Sequence, residues 1–179
     1  MTSFTMVRPS LDDLPPIELP AGYALRTYRP GDDAAWCRIM EGAIETGWTD
    51  ARFQSEMVAP EVFDPAGLFF IIAGGEPVAT ACAWRLPERY GNETGVLHMV
   101  AVRPEQRGRR LGRLVSLAVL HFFRAQGLAG AVLHTSEERP AAVKTYLGLG
   151  FRPKLDTDEV RAGWERVMAQ LRAHGEHAS

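Results

Sequence analysis

The sequence predicts a single α/β domain of the α+β sandwich kind, a mixed but mostly antiparallel central sheet flanked by helices. Three observations predict it. Strand-like apolar runs occur at 23–29, 67–74, 77–86, 94–102 and 131–135, with helical periodicity in the segments around them. The middle three runs follow one another without a helix of any length, which asks for antiparallel hairpins. The last two are separated by a helix, and a right-handed crossover makes such strands parallel neighbours. At 179 residues and 46% hydrophobic content, one well-buried core is within reach.

Taken in order, "DDLPPIELPAG" has the proline density of an extended lead-in, so residues 1–22 are expected to precede a domain spanning 23–155. "YALRTYR" alternates as a half-buried strand, and "PGDDAAWCRIMEGAIE" opens a helix with Asp32 or Asp33 placed to cap it. "DARFQSEMV" reads as a second, shorter helix. "GLFFIIAG" and "PVATACAWRL" form a hairpin around "GEP", followed by "TGVLHMVAV" as the central strand. Leu111, Leu114, Val115, Ala118 and Phe122 recur at helical spacing, and Gly127 stops that helix before the strand "AVLHT". "PAAVKTYLGLG" is again helical. In residues 156–179, Val160, Trp164, Val167, Met168 and Leu171 share one helix face, which fits a capping helix or a homodimer contact.

Charge narrows the function. The chain carries 20 Lys and Arg against 22 Asp and Glu, a net charge of −2, which offers no general field for a polyanion. Yet residues 103–113 hold five arginines and one glutamate. Positive charge focused so tightly fits a small anion with several charges and argues against nucleic acid as a partner. No apolar run is long enough to cross a bilayer, so no membrane partner is expected. The start of the chain lacks the apolar core of a signal peptide, and the only two cysteines, Cys37 and Cys82, lie in apolar segments. A reducing cytoplasm is the expected compartment.

Within "VRPEQRGRRLGRL" a strand ends at Val102, a turn contains Gly108, and Gly112 falls in the first turn of the following helix. Free backbone N–H groups at the positive end of a helix dipole make a phosphate cradle. Gly108 allows a left-handed turn, Gly112 permits close approach, and Arg107, Arg109, Arg110 and Arg113 add charge around the rim beside Leu111. Neither the P-loop pattern nor the dinucleotide fingerprint is present. The same residues also fit a solvated helix face with a glycine needed only for its turn.

"VAVRPEQRGRRLGRLV" resembles the acetyl-CoA motif of the GCN5-related N-acetyltransferases, with Arg107 at the Gln/Arg position and Gly112 at the last small position. Arg110 replaces the motif's middle glycine, which is tolerable if only its backbone N–H is used, in a helical conformation. "AAVKTYLGLGF" is similar to the family's second signature through Ala142, Tyr146, Gly150 and Phe151, although Arg139 stands where an asparagine is common. "LRTYRPGDDAAW" and "FDPAGLFF" look like segments of the catalytic domain of mycothiol synthases, which acetylate the cysteinyl amine of a thiol glycoside and carry two such domains. The resemblance implies acetyl-CoA as cosubstrate, no metal, and acetyl transfer to a primary amine of a small molecule within a ternary complex. The alternative is a catalytically silent CoA-sensing or protein-binding module on the same fold.

Such chemistry needs a base for the amine, donors for an oxyanion and an acid for the departing thiolate. The resemblance makes Tyr146 the acid. It also places the cosubstrate along Val100, Ala101 and Val102, with the oxyanion donor a backbone N–H near Val100 where the strand splays from its neighbour. By period two His98 shares a strand face with Val96, Val100 and Val102. It fits either a general base, directly or through water, or a core histidine bonded to backbone. Neither cysteine is expected near the site, which argues against a covalent enzyme intermediate. Glu45, Trp48, Trp84, Glu88, Tyr90 and His134 are the candidate acceptor contacts, through charge and cation–π attraction to an ammonium. His121 faces outward from its helix by spacing, and His174 and His177 fall in a polar tail.

Overall fold

A computed structural model describes residues 1–176, with side chains as far as residue 173. His174 and His177 therefore lie outside the described side chains. Seven strands, β1 (Ser3–Arg8), β2 (Tyr23–Thr27), β3 (Leu68–Ala73), β4 (Glu76–Trp84), β5 (Thr94–Val102), β6 (Gly130–Ser136) and β7 (Arg152–Pro153), form a mixed sheet in the order β2-β3-β4-β5-β6-β1-β7. The helices flanking it are α1 (Asp33–Met40), α2 (Asp50–Phe53), α3 (Pro87–Tyr90), α4 (Leu111–Ala125), α5 (Pro140–Gly148) and α6 (Asp158–Glu176). Internal contacts divide the chain into two compact units, one of residues 10–131 and the other of residues 1–9 with 132 onward.

In the larger unit β2, β3, β4 and β5 pair antiparallel in sequence order, as the uninterrupted run of strands required. One face of this sheet carries α1 and α2 over a core of Trp36, Phe53, Met57, Phe70 and Cys82. The other carries α4, which packs against β3, β4 and β5. Gly95 explains how closely: a Cβ there would stand 2.6 Å from the Phe123 ring. The start of α1 differs from expectation. Asp32 takes the N-cap position without capping through its side chain. Its carboxylate instead accepts from both terminal nitrogens of Arg26, at 2.6 and 2.8 Å, and from the Arg29 amide at 2.7 Å. Burial pushes the Asp32 carboxyl up, but these bonds outweigh it and hold the group below the usual range. The second helix also changes form, because after Phe53 the chain widens into a π-helical turn over Gln54–Val58.

Helix α4 is buried almost all round, from Leu114 to Leu120 without a break, where the spacing of its apolar residues predicted a single stripe. The lead-in is bonded to this helix. Leu11 is buried, and the Pro15 carbonyl accepts from His121 Nε2 at 2.8 Å. That bond fixes the tautomer, since a carbonyl only accepts, and leaves Nδ1 to accept from Arg124 at 3.1 Å. His121 is thus an anchor for the lead-in, where spacing alone pointed it at solvent.

In the smaller unit, residues 3–8 form a strand inside what the sequence presented as lead-in. Met6 lies opposite Pro153 and Val7 opposite Arg152, antiparallel. Phe4, Met6 and Arg8 are buried, and Phe4 meets Trp164 edge to face at 5.4 Å. The expected apolar face of α6 is used within this unit: Val167 is fully buried and α6 packs on β1 and α5.

Candidate functional site

The central strand departs from regular pairing at the residues that matter. Thr80 lies opposite Ala101 and Cys82 opposite His98, so β4 uses one residue, Ala81, where β5 uses two, Met99 and Val100. This is a β-bulge, which leaves an extra residue out of the ladder and bends its strand. Met99 takes φ 51°, in the left-handed region that residues with a side chain avoid. A broken ladder at Val100 is what an oxyanion donor there requires.

The bulge also shifts the phase of the strand. Val96 and His98 face the same side as Ala101, toward the α1 and α2 core, whereas Val102 sits opposite Ala79 and contacts the α4 side near Gly112. The period-two expectation that His98 shares a face with Val102 is corrected, because one extra residue reverses the side chains beyond it. A second correction concerns cysteine. Cys82 is the cross-strand partner of His98, so a thiol does lie beside the predicted site. Burial raises that thiol's pKa far above its ordinary value and keeps it protonated, unsuited to nucleophilic attack.

Beyond Val102 the chain makes a 3-10 turn over Pro104–Gln106, and Arg107 Nε reaches back to the Val102 carbonyl at 3.4 Å. Gly108 takes φ 79° and Arg110 φ 60°, so two left-handed residues set up the entry to α4. Arg110 is therefore left-handed, not helical, and keeps the conformation that the motif's glycine would adopt without strain. The amides of Gly108, Arg109, Arg110, Leu111, Gly112 and Arg113 donate to no protein acceptor among the described residues. A Cβ on Gly112 would meet Val102 at only 3.5 Å, an ordinary contact, so internal packing does not demand glycine there. The guanidiniums of Arg109, Arg110 and Arg113 have no ion pair among the described residues. A helix start with free amides, a bare Cα and unpaired arginines suits a diphosphate.

Of the expected acceptor residues in this unit, Trp48 and Trp84 join the α1 and α2 core, and the Trp84 ring stacks on the His98 imidazole with centroids 4.1 Å apart. Trp36, Trp48 and Phe53 pack in one aromatic cluster, and the Arg52 guanidinium lies 3.9 Å from the Trp48 ring. Glu45 is bound to Arg52 at 2.5 Å, which also holds Glu56, so its charge is already offset. Glu88 is exposed and Tyr90 half-buried on α3, where Arg89 lies over the Tyr90 ring.

The remaining candidates belong to the smaller unit. Tyr146 lies on α5, buried, with its ring edge-on to Phe151 at 6.1 Å. Burial pushes its phenol up to about 12, so the hydroxyl keeps its proton throughout the neutral range. Gly150 follows at φ 85°, with Arg8 donating to the neighbouring Leu149 carbonyl. His134 is exposed on β6, its Nδ1 3.3 Å from the Thr5 hydroxyl.

Known proteins give the family. Residues 34–151 match the model of the Acetyltransferase (GNAT) family. A mycothiol acetyltransferase of Rhodococcus erythropolis is 37% identical over 148 residues, 77% of this chain and 49% of that protein. Another, from Nocardia farcinica, is 38% identical over 149 residues, 78% of this chain and 48% of the other. The chain thus spans about half the length of the curated relatives it matches. A GCN5-related N-acetyltransferase from Sphaerobacter thermophilus shares the fold with a TM-score of 0.70 at 25% identity, covering 85% of this chain and 48% of that one. The ribosomal-protein-S18-alanine N-acetyltransferase of Escherichia coli, at 22% identity and a TM-score of 0.60 over 73% of this chain and 77% of its own, shares the fold alone. The bulged strand, the amide-rich helix start and the second signature thus sit in a sequence that the family model covers, and this chain belongs to the GNAT family of acetyltransferases.

Proposed function

We propose that the chain transfers an acetyl group from acetyl-CoA to a primary amine of a small molecule by direct attack in a ternary complex. The observation that carries this reading is the row of free amides from Gly108 to Arg113 beside unpaired arginines, which matches the diphosphate of the cosubstrate. Acetyl-CoA would supply the acyl group already activated as a thioester. The Val100 amide, at the bulge, is the donor to the carbonyl oxygen as negative charge gathers there. His98 takes one proton from the amine, directly or through water, and Tyr146 returns one to the departing sulfur, so the protons balance. A buried thiol at Cys82 favours direct transfer over an acyl-enzyme.

The name shared by the curated relatives supports an acceptor of the mycothiol class, the cysteinyl amine of a thiol glycoside. The test is CoA release from acetyl-CoA with a panel of primary amines that includes a cysteinyl glycoside. Release should depend on the amine, and Tyr146→Phe should lower kcat by about 10²- to 10³-fold while leaving acetyl-CoA affinity nearly unchanged. Tight acetyl-CoA binding with no release across the panel would favour the silent CoA-sensing module. Full turnover by Tyr146→Phe would remove that residue as the acid.

A further inference from the structure

Trp84 ends β4 where β5 is still in regular register with it. It lies opposite Val96, and Cys82 lies opposite His98, so these four side chains share one face of the sheet. Trp84 and His98 are therefore diagonal neighbours on paired strands, a separation that large aromatic side chains bridge. The indole and imidazole centroids are 4.1 Å apart, with the planes tilted by 34°. Edge-on aromatic pairs stand about 5 Å apart or more, so one ring here lies over the face of the other.

Both residues are half-buried, and Trp84 packs against the α1 and α2 core, which limits its own rotation. The bulge begins at the next residue, Met99, so His98 is the last side chain of β5 placed by the regular ladder before it. Stacking engages the face of the imidazole. It fixes the orientation of the ring without drawing on the nitrogens that carry protons. β4 has no carboxylate between Pro77 and Trp84, and burial keeps the Cys82 thiol neutral. What this strand offers a positive imidazolium is the electron-rich indole face.

We infer that Trp84 is a positioning residue for His98: its indole face sets the orientation of the imidazole and stabilises the positive charge that this ring gains on taking the proton of the amine. The inference rests on the reading of His98 as the base. It also changes the expectation for Trp84, which the sequence offered as a contact for the acceptor's ammonium. An indole face covered by an imidazole is not open to a second cation, so the part of Trp84 in acetyl transfer passes through His98.

NMR on the full chain reads the stack directly. With His98→Gln used to assign the signals, the His98 ring protons should lie upfield of the ordinary histidine range through the indole ring current. Steady-state kinetics with an accepted amine read the role. Trp84→Leu should lower kcat about tenfold with the amine KM nearly unchanged, and Trp84→Phe, which keeps an aromatic face, should recover most of that loss. Acetyl-CoA affinity by calorimetry should stay near that of the intact chain, which shows that the variants fold; if Trp84→Leu loses it, Trp84→Met takes its place. His98→Gln should lower kcat about 100-fold. Adding Trp84→Leu to it should cost nothing more, because a residue that acts through the imidazole then has nothing to act on. The same tenfold cost in the His98→Gln background, a raised amine KM at unchanged kcat, or His98 signals in the ordinary range overturns the positioning role and leaves the base reading standing. Full turnover by His98→Gln removes the base reading and this inference with it, and no turnover with any amine removes the proposed function as well.

Discussion

Arg110 stands at φ 60° and ψ 16° directly before α4, fully in the left-handed region, with its side chain exposed. For a residue with a Cβ that conformation costs about 1 kcal/mol, and glycine escapes most of it. Arg110→Gly should therefore raise the unfolding free energy by about 0.5–1 kcal/mol in urea denaturation. A fall instead would show that the side chain contributes more than the strain costs. Met99 holds a similar conformation in the bulge, but its side chain packs against the α1 and α2 core, so the same change there would also remove apolar contact. For Tyr146 the sign of the pH effect is set by burial. A phenol raised to about 12 remains protonated below that value and is lost as an acid only as pH rises through it, so a fall in rate between pH 8 and 10 would originate in another group.

Strand β5 and helix α4 meet with almost no tolerance at Gly95, where an added Cβ would lie 2.6 Å from three atoms of the Phe123 ring. Gly95→Ala should destabilise the protein by about 1–3 kcal/mol, measured as a shift in the urea midpoint, because neither a sheet strand nor a ring at the helix interface can move freely. Gly112→Ala meets no such obstacle within the chain. An effect of that change on acetyl-CoA affinity but not on stability would mark the position as ligand-facing. The lead-in acts as an element in its own right. Its prolines read in the sequence as an extended lead-in, yet its Pro15 and Pro20 carbonyls are bonded to His121 and Tyr23.

Over the whole molecule the net charge is −2, while residues 103–113 carry five of the arginines and a single glutamate, itself paired with Arg103 at 2.7 Å. A focused cationic patch on an otherwise acidic protein binds its anion with a clear salt dependence. Raising sodium chloride from about 50 to 500 mM should weaken acetyl-CoA binding about five- to tenfold by calorimetry, and a salt-independent affinity would contradict an electrostatic role for the arginines. Most elements were legible beforehand because periodicity is local: the hairpin at 68–84, the strand at 94–102 and the helix from Leu111 were each recorded in residues close together in the chain. The cradle was legible for the same reason, its glycines and arginines being consecutive. β1 escaped notice because its alternating buried face of Phe4, Met6 and Arg8 ends on a charged residue that reads as solvent-facing, and the π-turn at Gln54–Val58 has no periodic pattern. The sequence by itself determined the order of elements, the helix start at Leu111 and the concentration of positive charge there. Only the tertiary structure decided which way His98 faces, that Cys82 lies across from it, and that the lead-in is bonded to α4. The first two depend on a bulge, which exists only when two strands pair with unequal counts, and the third on a hydrogen bond between residues 106 positions apart.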